Sequence, residues 1–414
     1  MVSLNPADIA YAAAGLRPVV RRTPIGRSQR LSEAAGTPVL LKREDIQLCR
    51  SYKVRGAYHL IAGLDAQQRA AGVVCASAGN HAQGVAFACR RLGIHGTIYL
   101  PTNTPLQKRR RIAQIGGDAV TLRFVGRTYD GASAAALADA SQSGATYVHP
   151  FDDERTIAGQ GTVGLEILEQ VEDLDTLIVP VGGGGLLAGI ATWVKAQRPG
   201  VHLVGVEPAG AASLRAALDT GHPVPLDDVD TFVDGAAVGQ VGAAPFDVLR
   251  DQVDEVVAVP EGAVCTEMLE LYQTEGIIAE PAGALASTAL RGFLERAPAG
   301  PVVCVVSGGN NDVSRYADIL ERSLLHEGLR HYFLVTFPQE PGALRGFLTG
   351  VLAEGEDIVL FEYVKKSNRE TGPALVGIEL DDAAKLGGLL ERVAESPLQI
   401  ERVPPGSPLF SFLL

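Results

Sequence analysis

Cysteine and basic charge are both scarce in this 414-residue chain. The five cysteines, Cys49, Cys75, Cys89, Cys265 and Cys304, form no C-x-x-C pair. Several stand inside apolar runs such as VVCAS and VVCVVS. That pattern favours buried, reduced thiols over a disulfide framework. Clusters of Cys or His are missing too, so no metal site is expected. Lysine and arginine number 36 against 48 acidic residues, a net charge of −12. Such a balance argues against a nucleic-acid backbone as partner. The one basic cluster, QKRRR (107–111), has no interleaved aromatics and reads as a solvated helix face. No apolar run is long enough to span a bilayer. The start, MVSLNPADIAYAAAG, lacks the basic residues and apolar core of a signal peptide, so a cytoplasmic protein is expected.

What remains is the composition of a folded enzyme-sized chain. Hydrophobic residues make up 46% and charged residues 20%, and the length allows two or three domains. From about residue 70 to 320, short β-branched runs alternate with helical patterns. GVVCAS, GTIYLP, DAVTLR, ATYVHP, TLIVPV, VHLVGVEP and PVVCVV read as strands with helices between them. Apolar strands separated by helices predict α/β architecture, a parallel sheet covered on both faces. The pattern then changes. HYFLVTFP, GALRGFLTGVL, DIVLFEYVKKS, PALVGIELD, AAKLGGLLERVAES and LQIERVP give the order β-α-β-β-α-β, which is ferredoxin-like. The boundary is placed near Gly328, giving domains 1–327 and 328–414.

Ligands of doubly wound sheets bind at the carboxyl ends of strands. Three such ends carry unusual loops. SAGNHAQG (77–84) offers Ser77, Asn80 and His81 at a helix start, where backbone amides favour an anion. VGGGGLLAG (181–189) lets the backbone approach a ligand and aim several amides at it, as for a phosphate. Gly183, Gly185 and Ala188 also fit G-x-G-x-x-A, and the next strand ends in Glu207, so a nicotinamide oxidoreductase stays open. SGGNND (307–312) puts Ser307 at a strand end beside two glycines.

Upstream lies CRSYKVRGAY (49–58). Ser51 is placed to cap a helix whose buried stripe is Val54, Ala57, Tyr58 and Ile61. Lys53 then falls in the first turn, where the helix dipole disfavours a cation. Burial would lower its pKa further. A neutral amine is what Schiff-base formation with an aldehyde requires. A lysine reaching out to solvent is the ordinary alternative.

Together these segments resemble the fold-type II pyridoxal-phosphate enzymes, of tryptophan-synthase-β-like fold. The nearer resemblance is to biosynthetic threonine dehydratases (threonine ammonia-lyases). TPIGRSQRLSEAAGTPVLLKRED (23–45), SYKVRGAY (51–58), SAGNHAQGVA (77–86), PFDDERTIAGQGTVGLEI (150–167), VPVGGGGLLAG (179–189), DGAAVGQVG (234–242), AEPAGALA (279–286) and VSGGNND (306–312) carry it, in family order. The resemblance implies two α/β subdomains, the smaller at roughly 48–150. It implies pyridoxal 5'-phosphate, bonded to Lys53 and cradled at its phosphate by Gly182, Gly183, Gly184, Gly185 and Leu186. Asn80 is implied as partner of the ring hydroxyl and Ser307 of the pyridine nitrogen. Ser77, Asn80 and His81 are implied in gripping the substrate carboxylate.

The implied reaction is α,β-elimination of L-threonine to 2-oxobutanoate and ammonia, with Lys53 as general base. A catabolic serine/threonine dehydratase is the close alternative. Serine racemases of this fold have a second serine where Ala78 stands here, so racemisation is not expected. Related metal-binding forms place a carboxylate where this chain has Ser213, which again predicts no metal. PQEPGALRGFL (338–348) resembles the start of an ACT-like regulatory domain, implying inhibition by isoleucine, relief by valine and a homotetramer. The role of Arg55, ion pairing or subsite shaping, stays open.

Overall fold

The computed structural model describes residues 4–363, 370–404, 407 and 410. The chain divides into two compact units, Met1–Asp312 and Val313–Leu414. In the first, the described strands are β1 (Ile25–Ser28), β2 (Val39–Arg43), β3 (Val73–Ala76), β4 (Gly96–Leu100), β5 (Val120–Phe124), β6 (Thr146–Tyr147), β7 (Thr176–Pro180), β8 (His202–Pro208), β9 (Glu255–Val259) and β10 (Val302–Val306). They form two sheets. The smaller has the order β5-β4-β3-β6 and is parallel throughout. The larger has the order β1-β2-β10-β7-β8-β9, and β1, paired antiparallel to β2, is its one reversed strand.

Every residue of β3 is buried, as its unbroken apolar run requires. Its alternate side chains serve opposite faces. Val73 and Cys75 join a cluster with Ala57, Leu60, Ala82 and Val85. Val74 and Ala76 pack instead with Ala132 and Ala136, from the helix Tyr129–Ser143. Covering both faces in this way makes the strand inaccessible except at its ends. All five cysteines are free and buried.

Strands β1, β2 and β9 stand beyond the runs that the sequence marked. In β2 the reason is Lys42, a charge in a strand next to the sheet centre. It is fully buried because its Nζ donates to Glu166 Oε2 at 2.6 Å, Thr23 O at 2.8 Å and Gln170 Oε1 at 2.9 Å. In β9 the buried Glu255 accepts from the Glu295 amide at 2.7 Å. Both charges break the apolar reading of a strand, and both are matched by partners that lie far away in sequence.

The second unit has the helix Tyr316–His326, then β11 (Arg330–Pro338), the helix Ala343–Val351, β12 (Glu356–Tyr363), β13 (Thr371–Leu380), the helix Leu386–Glu395 and β14 (Gln399–Arg402). The antiparallel sheet has the order β12-β13-β11-β14. This is the ferredoxin-like βαββαβ order. Phe333, Val335, Phe337, Val376 and Ile378 of the sheet bury Phe347 and Leu389 of its helices. The division falls earlier than Gly328 because the helix Tyr316–His326 is fastened to β11. Tyr332 Oη donates to Glu321 at 2.6 Å, and Arg330 pairs with the same carboxylate.

Candidate active site

Lys53 is the first residue of the helix Lys53–Ala62. The capping expectation for Ser51 fails. Tyr52 holds the cap position with no side-chain bond, and Ser51 forms a bridge with Gly308 instead. That bridge, with the Tyr52 amide donating to Ser307 O at 3.1 Å, ties the helix start to the loop after β10. The buried stripe also differs. Tyr58 is only half-buried, while Arg55 and Leu60 are fully covered.

The Lys53 amine donates to the Pro150 carbonyl at 2.8 Å. No carboxylate lies within ion-pair distance of it among the described residues. Burial pushes its pKa down to about 8, against an opposing pull from the Glu280 charge. An amine in that range is deprotonated far more often than an ordinary lysine, which is the state a nucleophile or base needs.

Arg55, two residues on, has the opposite character. Its side chain is 0% exposed. Nε and Nη2 donate to Glu44 at 2.9 and 2.7 Å, and Nη1 donates to Glu166 Oε1 at 2.7 Å and Thr162 Oγ1 at 3.2 Å. Burial raises the Glu44 pKa, but Arg55 and Lys42 outweigh it, so Glu44 lies below its usual value. Arg55 is therefore a structural anchor that holds the helix start carrying Lys53.

The three strand-end loops converge on that start. β10 and β7 are neighbours, so their carboxyl ends lie side by side. Lys53, Tyr52, Phe151 and Gly182–Gly185 line one small cavity. Gly184 has φ +86°, and the helix Gly185–Gln197 begins directly after it. The glycines are needed for space as well. A Cβ on Gly183 would stand 2.2 Å from the Phe151 ring, and one on Gly182 would stand 2.9 Å from Ala236 Cα. A helix start with free amides and a bare backbone suits a phosphate, and a poised amine on the same cavity suits an aldehyde. A larger cavity of about 250 Å³ touches Arg55 and Glu166 but neither Lys53 nor the glycines, so size does not locate the chemistry.

Asn80, first residue of the helix Asn80–Leu92, joins these loops through side chains. Its Nδ2 donates to Glu280 Oε1 at 2.6 Å, and its Oδ1 accepts from Asn310 Nδ2 at 2.7 Å. Ser307 is buried, with its hydroxyl 3.3 Å from the Ala282 carbonyl. Ser77 is half-buried and accepts from the Gly79 amide at 3.2 Å. His81 does not join the loop's accessible polar groups. Its ring is buried, and Nε2 lies 2.8 Å from the Val148 carbonyl, which requires Nε2 to carry the hydrogen. Burial, then the nearby Lys53 charge, lowers its pKa to about 3, so the ring is neutral.

Glu280 and Asn310 were missed as site residues by sequence reasoning. Both lie in segments that carry the resemblance, AEPAGALA and VSGGNND, but nothing in their spacing joins them to Asn80. Glu207, open as a ribose contact, is occupied. It is fully buried and accepts the amides of Leu214 and Arg215 at 2.7 and 2.9 Å. That removes the acidic residue a dinucleotide site requires.

The pyridoxal-phosphate-dependent enzyme family matches residues 16–308, and the family described as the C-terminal regulatory domain of threonine dehydratase matches residues 321–413. The "L-threonine dehydratase biosynthetic IlvA" of Mycobacterium tuberculosis is 57% identical over 100% of this chain and 97% of its own length. The chain belongs to the biosynthetic threonine dehydratase family. Its Bacillus subtilis relative of the same name is 48% identical over 98% of this chain and 96% of its own length. Among solved structures, processed threonine deaminase isoform 2 of Solanum lycopersicum is similar to the dehydratase fold described above. Its TM-score is 0.72 at 38% identity, covering 77% of this chain and 92% of that one. No helix among the described residues is long and apolar enough to cross a membrane.

Proposed function

We propose that this chain is the threonine ammonia-lyase of isoleucine synthesis, converting L-threonine to 2-oxobutanoate and ammonia in the cytoplasm. Bound pyridoxal phosphate supplies an aldehyde for the substrate amine and an electron sink for charge at Cα. The residues fit that group. Gly182, Gly183, Gly184, Gly185 and Leu186 would hold its phosphate, Asn80 its ring hydroxyl, Ser307 its ring nitrogen and Lys53 its aldehyde carbon.

The observation that carries the reading is the Lys53 amine. It is partly buried, donates to a backbone carbonyl with no carboxylate at ion-pair distance among the described residues, and shares a cavity with the glycine loop. With that group bound, the Lys53 amine would be the base that accepts the substrate Cα proton. The β-hydroxyl would leave as water, which balances the proton taken from Cα, and one water then hydrolyses the released enamine, through its imine, to the oxo acid and ammonia. Ser77 and the amides at the start of Asn80–Leu92 are the groups for the substrate carboxylate. The neutral, buried His81 supports that helix start through Val148. Ser307 suits the elimination, since a hydroxyl leaves the ring nitrogen without the full charge an aspartate would impose.

The C-terminal unit supports a regulatory reading, with isoleucine as inhibitor and valine as its antagonist, in a homotetramer. A small folded unit appended to a complete site can couple a second ligand to the first. The test is 2-oxobutanoate formation from threonine with and without isoleucine. Turnover that isoleucine suppresses supports the biosynthetic role. Turnover insensitive to isoleucine would leave the catabolic alternative, and no turnover would remove both.

A further inference from the structure

Asn80 is held from two sides. The orientation of its amide is fixed by a chain of bonds that begins at a backbone carbonyl. Cys49 O accepts from Asn310 Nδ2 at 2.8 Å, so that end of Asn310 is the nitrogen. The same nitrogen donates to Asn80 at 2.7 Å, so that end of Asn80 is the oxygen. The Asn80 nitrogen therefore faces Glu280 Oε1, 2.6 Å away. A side-chain amide nitrogen has two hydrogens, and one of them remains unspent by these bonds.

Glu280 reaches Asn80 because two glycines make room. A Cβ on Gly308 would lie 2.1 Å from Glu280 Oε1, and one on Gly283 would lie 2.2 Å from the Gly308 carbonyl oxygen. The Glu280 backbone amide also donates to Gly308 O at 3.1 Å, tying the backbone that carries the carboxylate to the loop that bears Ser307.

We propose that Glu280 is a positioning residue: it fixes the Asn80 amide and, as a carboxylate, reserves one Asn80 N–H for the ring oxygen of bound pyridoxal phosphate. This rests on the cofactor assignment at Lys53. The charged and titratable groups facing Glu280 are Lys53 and Tyr52 from the helix start, with Asp234 and Lys108. Lys108 and Asp234 pair at 2.5 Å, so the Lys108 charge offsets part of the Asp234 charge. Burial, then the Asp234 charge, raises the Glu280 pKa to about 7, against the Asn80 bond and Lys108. Its charge therefore changes in the neutral range. Protonation weakens its hold on the Asn80 hydrogen, and the electronic state of the cofactor ring responds.

The test is a pH titration of the bound cofactor's visible absorbance in the holoenzyme, together with its dissociation constant. Wild type should show a transition near pH 7. Glu280→Gln should lose that transition and bind the cofactor about tenfold more weakly, the difference between a charged and a neutral hydrogen bond. Glu280→Asp, which keeps the carboxylate but withdraws it, should keep a transition at shifted pH. It serves as the readout should Glu280→Gln fail to fold. An unshifted wild-type transition in whichever variant folds overturns the proposal. Lys53→Ala separates the two levels of inference. A visible band that Lys53→Ala leaves unchanged overturns the cofactor assignment itself, and the proposal with it.

Discussion

Lys53 and Arg55 stand two residues apart on one helical turn and meet opposite surroundings. The Arg55 guanidinium lies 2.7 Å from Glu44 Oε1, whereas the Lys53 amine donates to the Pro150 carbonyl at 2.8 Å and stands over the Tyr52 ring, with no carboxylate at ion-pair distance among the described residues. One cation is neutralised and fixed, and the other is left easy to deprotonate.

Lys53 should therefore make cofactor capture depend on pH. With a pKa of about 8, roughly a tenth of the amines are neutral at pH 7, against fewer than about one in a thousand for an ordinary lysine. Reconstitution of the apoenzyme, followed by stopped-flow absorbance at fixed aldehyde concentration, should speed up roughly tenfold per unit below pH 8 and level off above it. A flat profile from pH 6 to 9 would contradict the assignment.

Arg55 should matter for stability more than for chemistry. Replacing it with alanine leaves Glu44 and the half-paired Glu166 without their shared cation. Removing one partner of a buried pair costs on the order of 3–5 kcal/mol. Urea unfolding of Arg55→Ala should show a loss of that size. Arg55→Lys should lose less, since one charge remains but the forked contact to Glu44 is gone.

Gly183 tests the phosphate cradle. Alanine there drives a methyl against the Phe151 ring, 2.2 Å away. Gly183→Ala should weaken cofactor binding by at least about tenfold, read by equilibrium dialysis, with secondary structure intact. Adding Phe151→Ala opens the space and should restore part of the affinity. Losses that simply add would contradict the steric account.

His81 should sensitise the fold to acid. Its pKa falls from 6.5 to about 3 in the folded state, so the unfolded chain binds the extra proton across that window. Its contribution is complete above pH 6.5 and is lost as pH drops, at about 1.4 kcal/mol per unit. His81→Asn should lose about 2 kcal/mol less than wild type between pH 6.5 and 5, measured by urea unfolding of the apoenzyme. An equal loss in both proteins would show that His81 is not buried neutral.

Much of this was legible in the sequence where one local rule decides. β3, β7 and β10 are unbroken apolar runs, and each ends in a loop rich in glycine or amide that reaches the site. The βαββαβ unit followed from the change in periodicity after the first unit. What stayed hidden depends on partners distant in sequence. Lys42 disguised β2 because its countercharge, Glu166, sits on another element. Ser51 looked like a cap until Gly308 paired with its backbone. Glu280 and Asn310 gained meaning only when folding brought both to Asn80. His81 misled because an imidazole at a helix start reads as chemistry, while burial and the Val148 carbonyl commit it to structure.

The most direct test of the central claim is borohydride reduction of the holoenzyme followed by peptide mass mapping. One pyridoxyl label per chain is expected, on the peptide containing Lys53. A label on another lysine, or no label on protein that turns over threonine, would contradict it.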